Sequence, residues 1–243
     1  MELNAIATAL IMSALGFEPA DRCTINQKLS RLSPSGGTAL RDSVETGLGL
    51  ILRLNAELNK LGTGEVWNFL HIVITDGEDT SSETSLEELG GIFYLVGRTI
   101  PTSRCKTAFI GIELNNKELA ELAVLSALGG DNCDLYNANN VSLNEIFQRI
   151  SVNVGLQRQV GIVGVQTNNM SALMFQQRNS PVLQIRRNRF AVLLNLDFSG
   201  SMEGKKWQAL RNSVAAFLRN LQDGDLVSCV LFNGQVHNIG KFG

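Results

Sequence analysis

Apolar positions along this chain fall into two rhythms. Unalternating runs from Phe69 to Thr75 (FLHIVIT), Lys106 to Ile112 (KTAFIGI), Phe190 to Leu196 (FAVLLNL) and Leu226 to Phe232 (LVSCVLF) predict strands, with Cys133 to Ala138 (CDLYNA) a weaker one. Apolarity without alternation means that both faces of each strand are covered, as in a parallel sheet held between helix layers. Between the runs, apolar residues recur with helical spacing. Leu40, Val44, Leu48, Ile51, Leu52 and Leu58 mark one helix; Leu86, Leu89, Phe93 and Val96 a second; Leu119, Leu122 and Leu125 a third. Leu143, Ile146, Phe147, Ile150 and Val154 mark a fourth, and Trp207, Leu210, Val214, Phe217, Leu218 and Leu221 a fifth. Strand and helix alternate, which selects a doubly wound α/β sheet, mostly parallel, with helices on both faces. The segment Gln235 to Gly240 follows the Phe-Asn-Gly turn directly and predicts a hairpin partner for the last long strand, hence one antiparallel edge strand.

Two stretches stand outside that rhythm. The first residues place Leu3, Ile6, Ala7, Leu10, Ala14 and Leu15 at helical spacing, which predicts a packed amphipathic helix too short to span a bilayer. Ser151 to Asn188 contains no acidic residue and has arginine as its main charge. It predicts a solvated connector with local hairpin structure, a basic docking surface being the alternative.

Composition narrows the classes of partner. The 243 residues are 44% hydrophobic and 18% charged, enough for one large core, with a formal net charge of -2. That balance gives no electrostatic case for nucleic acid or for an acidic membrane surface, and no membrane insertion is expected. Cys23, Cys105, Cys133 and Cys229 form no C-x-x-C pair. They predict free structural thiols in a reducing, intracellular (cytoplasmic) compartment.

The candidate chemistry lies at strand ends. Leu193 to Leu196 runs into Asp197, and Ile72 to Thr75 into Asp76. In an open parallel sheet, ligands bind beyond the carboxyl ends of strands where the strand order reverses, so two such neighbours would aim both carboxylates into one site. Ser199 and Ser201 follow Asp197 at i+2 and i+4 with Gly200 between them, a spacing that turns three oxygen donors toward one point and invites a cation. Thr38 follows Gly36 and Gly37 at the start of a long helix, where it serves either as a third contributor or only as a helix N-cap. Glu78 and Asp79 read as a solvated acidic rim, Asp42 as a complement to the helix macrodipole, and His71 and His237 as packing or surface residues.

Taken together, Asp197 to Met202 (DFSGSM), Gly36 to Thr38 (GGT) and Thr75 to Gly77 (TDG) resemble the metal-ion-dependent adhesion site of von Willebrand factor type A domains, a Rossmann-like family. The resemblance extends over the pattern from about Cys23 to Ile150 and from Phe190 onward. It implies five metal-coordinating positions, Asp197, Ser199, Ser201, Thr38 and Asp76. All five offer oxygen, which favours Mg²⁺ or Mn²⁺ over zinc. It also implies a non-enzymatic cell-adhesion or interaction module, in which the Asp or Glu of a protein partner completes the metal sphere. A metal-dependent phosphohydrolase with Asp197 as nucleophile, a nucleotide-binding enzyme using the glycine loop, and a scaffold with a structural metal site are the rivals.

The family's usual order puts the D-x-S-x-S strand first, whereas here it comes last. The order implies a circular permutation, the rival being the back of one such domain joined to the front of the next in a tandem array. Residues 1–21 are then an N-terminal helical extension, 22–150 the second part of the domain, 151–189 the basic connector and 190–243 the first part. A chain that closes its own site, as a monomer, is expected over a domain-swapped dimer, because half a sheet would leave long apolar edges exposed.

Overall fold

The computed structural model describes residues 2–20, 23–139, 141–152 and 189–239, with residues 2–8 described by their backbone alone. Its helices are α1 (Glu2–Leu15), α2 (Ile25–Leu29), α3 (Leu40–Lys60), α4 (Leu86–Thr99), α5 (Asn116–Leu128), α6 (residues 143–152) and α7 (Lys205–Leu218). The strands are β1 (Glu18–Pro19), β2 (Trp67–Thr75), β3 (Cys105–Gly111), β4 (Cys133–Asn137), β5 (Arg189–Asp197), β6 (Leu226–Phe232) and β7 (Val236–Asn238).

One sheet takes the order β1-β6-β5-β2-β3-β4, with β7 also on β6. Strands β6, β5, β2, β3 and β4 run parallel, while β1 and β7 pair antiparallel with successive stretches of β6. The edge expected from Gln235 to Gly240 is therefore present, but residues near both ends of the chain build it. From β5 the chain crosses through α7 to β6 on one side; from β2 it crosses through α4 and α5 to β3 and β4 on the other. The order reverses between β5 and β2.

Residue alternation within each strand explains why both faces are apolar. Trp67, Phe69 and Val73 of β2 pack with α3, α4 and α5 on one face, in a layer that also takes Met12 of α1. Leu70, Ile72 and Ile74 of the same strand pack with α2, α6 and α7 on the other. Each fully buried large aliphatic side chain contributes about 1.5–3 kcal/mol relative to exposure, so neither layer is dispensable. Helix starts carry their own signals. Ser85 accepts from Glu88 N–H while the Glu88 carboxylate accepts from Ser85 N–H, and Asn115 and Glu118 repeat the arrangement at α5.

Several expectations shift in detail. Leu10 of α1 is 67% exposed, whereas Met12 and Leu15, with Phe17 just beyond the helix, pack in the layer that includes α3; the side chains of Leu3, Ile6 and Ala7 lie outside the described residues. Leu86, expected to be apolar-facing, is 43% exposed at the first residue of α4. Val154 and nearly all of the connector lie outside the described residues; Ser151 and Val152 end α6. All four cysteines are free. Among the described residues no helix is long and apolar enough to cross a membrane.

Candidate functional site

The candidate site lies at the carboxyl ends of β5 and β2, which are hydrogen-bonded neighbours in register from Trp67 with Arg189 to Ile74 with Leu196. Asp197 and Asp76 leave those two strands side by side. Asp197 is 0% exposed; its Oδ2 accepts the Thr75 hydroxyl at 2.6 Å and its Oδ1 accepts the Ser199 N–H at 2.8 Å. Burial raises the Asp197 pKa, the Ser199 and Thr75 hydrogen bonds oppose that, and the nearby charge of Asp76 adds to it. A carboxylate out of water with only neutral donors around it is an anion waiting for a countercharge.

Asp76 is joined to the same network. Its Oδ1 accepts the Ser201 hydroxyl at 2.7 Å, and the Ser201 and Ser199 hydroxyl oxygens are 2.9 Å apart. Its Oδ2 lies 2.6 Å from Nζ of Lys206, in the first turn of α7. Partial burial works against the Lys206 ammonium, yet the hydrogen bond and charge of Asp76, with Glu113 beyond, outweigh it and raise the Lys206 pKa. Glu113, just after β3, brings its Oε2 to 3.6 Å from the same ammonium.

The glycine loop closes the cleft from the other half of the sequence. Gly36 C=O accepts from Gly200 N–H at 3.1 Å, and Ser35 N–H donates to Phe198 C=O at 2.9 Å. Gly36 has φ +85°, open to glycine at no steric cost, and this turn is what lets the loop lie against Gly200. Thr38 is buried, with its N–H on the Thr80 hydroxyl at 3.0 Å and its C=O accepting from Thr80 and Ser81 N–H. It is not the N-cap of α3: that position is Ala39, with no side-chain cap. The orphan N–H groups of the helix are met instead by the loop after β2. Asp79 accepts from Arg41 N–H at 3.0 Å and the Ser82 hydroxyl receives Asp42 N–H at 3.2 Å.

Asp197, Ser199, Ser201 and Asp76 are thus linked through one hydrogen-bonded chain with Thr75, whereas the backbone contacts to that loop come from Ser35 and Gly36 and those of Thr38 go to Thr80 and Ser81. Gly200, expected to provide the bend, does so as the first residue of a 3₁₀ turn, Gly200–Met202, without a positive φ. The rim also differs from expectation. Asp79 is held by Arg41 at 2.9 Å, Glu78 by Lys117 at 2.6 Å, and Asp42 accepts from Thr84 and Glu83 N–H. His71 is fully buried in β2, whereas His237 lies half-buried in the edge strand. Thr75, Lys206 and Glu113 were not singled out by spacing; the weak signals were Thr75 preceding the strand-end aspartate and the Lys205-Lys206 pair after the serine loop. Among the described residues no group of three or more His, Cys, Asp or Glu side chains is placed to hold a metal ion, so any cation here would rest on hydroxyls as well as carboxylates.

Fold and site together define a class: a Rossmann-like, doubly wound α/β domain with carboxylates and hydroxyls gathered at the point where its strand order reverses. No protein-family model matches the chain, and no curated protein matches it. It is similar to a solved structure of an uncharacterized protein from Alicyclobacillus acidocaldarius subsp. acidocaldarius DSM 446, at 16% identity and a TM-score of 0.46, over 72% of this chain and 79% of that one.

Proposed function

We propose that this protein is a divalent-cation-dependent binding module of the von Willebrand factor type A kind, in circularly permuted order, that takes an acidic side chain of a partner protein. The observation that carries the reading is Asp197, a wholly buried carboxylate whose partners are a hydroxyl and an amide, beside the chain Ser199, Ser201 and Asp76. Asp197, Ser199, Ser201, Asp76 and Thr38 would hold the ion. With oxygen donors and no thiolate or imidazole among them, they suit Mg²⁺ or Mn²⁺. Bound there, the ion supplies a Lewis-acidic position for a carboxylate oxygen of the partner.

The protein's own residues prepare that position. Thr75 and the Ser199 amide fix both oxygens of Asp197, so its carboxylate cannot rotate away. Ser199 is 1% exposed, whereas Ser201 is exposed, so the hydroxyl chain leads from the interior to solvent where a partner can reach it.

The enzymatic rivals are poorly served by the same geometry. A nucleophilic Asp197 would have to admit a phosphoryl group, far larger than a bare cation, to a side chain that is 0% exposed. A phosphate on the glycine loop would need free N–H groups at the start of α3, yet those of Thr38, Ala39, Arg41 and Asp42 are taken by Thr80, Asn233, Asp79 and Ser82.

The test is retention of a partner on immobilised protein in MgCl₂ and its release by chelator. Asp197→Ala should abolish retention while leaving the circular-dichroism spectrum unchanged. Equal retention with chelator, or by the Asp197→Ala protein, would overturn the proposal; retention that ignores the ion while Mg²⁺ still raises the melting temperature would favour the structural-metal rival.

A further inference from the structure

Asp76 serves two partners at once. One oxygen receives Ser201 and so belongs to the hydroxyl chain; the other lies 2.6 Å from Lys206 Nζ, with the Asp76 side chain 0% exposed and that of Lys206 only 23% exposed. An ammonium ion therefore already stands beside a carboxylate that the cleft would offer to a metal. Short, largely dehydrated ion pairs are costly to break when one partner is left uncompensated. A divalent ion drawing on Asp76 meets a like charge in contact with the same carboxylate, unless that charge has somewhere to go.

Glu113 provides the place. Its Oε2 is 3.6 Å from the same Nζ, on a side chain 69% exposed that faces solvent. Among the described residues it is also the non-glycine residue with a positive φ, +54°. Such a backbone is disfavoured for an L side chain and persists where its surroundings hold it, commonly at functional positions. Two elements distant in sequence, the end of β3 and the first turn of α7, thus set a second carboxylate within reach of the lysine.

We infer that Lys206 is the built-in counter-cation of the cleft, that it competes with the divalent ion for Asp76, and that Glu113 receives its ammonium when the ion binds. This rests on the metal reading above and adds to it the residues that set the affinity. Lys206 is then why the metal-free cleft is stable despite two buried carboxylates, and also why it binds metal less tightly than its donors alone would allow.

The experiment is calorimetric titration of MgCl₂ and MnCl₂ into the whole protein and four variants. Lys206→Met should bind each ion at least tenfold more tightly, about 1.4 kcal/mol. Lys205→Met removes the same charge from the exposed neighbour and should stay within about twofold, so a general electrostatic effect is separated from a contact. Glu113→Gln should weaken binding several-fold, and that loss should vanish when Lys206→Met is also present. A second readout is stability: in chelator Lys206→Met should melt below the wild type, and saturating MgCl₂ should close the gap.

Unchanged or weaker binding by Lys206→Met overturns the inference, as does a Glu113→Gln loss that persists without the lysine. Equal affinities of wild type and Lys206→Met sink this inference alone. If neither protein binds Mg²⁺ or Mn²⁺, the metal reading falls and this falls with it. Should Lys206→Met fail to fold, Glu113→Gln carries the test, since its site is exposed; an unchanged affinity there is the overturning result.

Discussion

Two buried ionisable groups bracket the chemistry of β2 and β5. At Asp197 burial raises the carboxyl pKa and disfavours an uncompensated charge, which a bound cation would relieve. His71 sits deeper, fully buried under α3, with both ring nitrogens unpaired; Asn195 lies beside it but falls short of a hydrogen bond, its amide nitrogen donating instead to Ser43 C=O at 2.5 Å. Burial pushes the His71 pKa down to about 4, against an ordinary value near 6.5. Between those values the unfolded chain binds a proton that the folded one refuses. Stability is then full above about pH 6.5 and falls as the pH drops toward 4, by about 1.4 kcal/mol per pH unit where the slope is steepest. Urea midpoints measured across that window should show the loss, and His71→Gln should flatten the difference. A His71→Gln curve as steep as the wild type would place the acid sensitivity elsewhere. At this scale Asp197, Ser199 and Ser201 were legible because they are local, two and four residues apart on one loop. The bond from Thr75 to Asp197 and the pairing of Lys206 with Asp76 were not, because those partners lie 122 and 130 residues apart.

Among the elements, α3 couples the cleft to the core. Its first turn is tied by Asp79 and Ser82 to the loop that follows Asp76, and its middle rests on the sheet at Gly47. A Cβ at Gly47 would stand 2.6 Å from His71 Nε2 and 3.0 Å from Asn195 Oδ1, side chains that are themselves buried and cannot swing aside. Gly47→Ala would gain about 1 kcal/mol of helix propensity and lose about 1–3 kcal/mol to overpacking. The expected sign is a net destabilisation, seen as a lower urea midpoint; a more stable Gly47→Ala protein would mean that α3 is free to lift from the strands. The apolar stripe of α3 was readable from its spacing, since Leu40, Val44, Leu48, Ile51 and Leu58 are all buried. Its start was not. The Gly-Gly-Thr loop suggested Thr38 as a possible cap, and the caps come from residues some forty positions later, which no local signal reports.

At the scale of the whole molecule, one edge of the sheet is shared between the two ends of the described chain. Asn238 of β7 pairs with Val230 and Glu18 of β1 with Val227, so only Cys229 and Ser228 separate them along β6. A nearly continuous antiparallel strand is thus made from two pieces, and β5 enters the middle of the sheet beside β2 rather than at a border. Because those central pairings are made within one chain, sedimentation velocity at low micromolar concentration should give a monomer; a strict dimer would mean that two copies exchange their halves. Strand identity, the parallel sheet and the D-x-S-x-S, G-G-T and T-D-G loops could be read directly from the order of residues, because hydrophobic period and short-range spacing are local properties that survive without a fold. Which strands become neighbours, how the two ends complete one edge, and that Lys206 meets both Asp76 and Glu113 were decided only by the tertiary structure. Those contacts join distant residues, and they exist only once burial of the two apolar layers has brought the strand ends together.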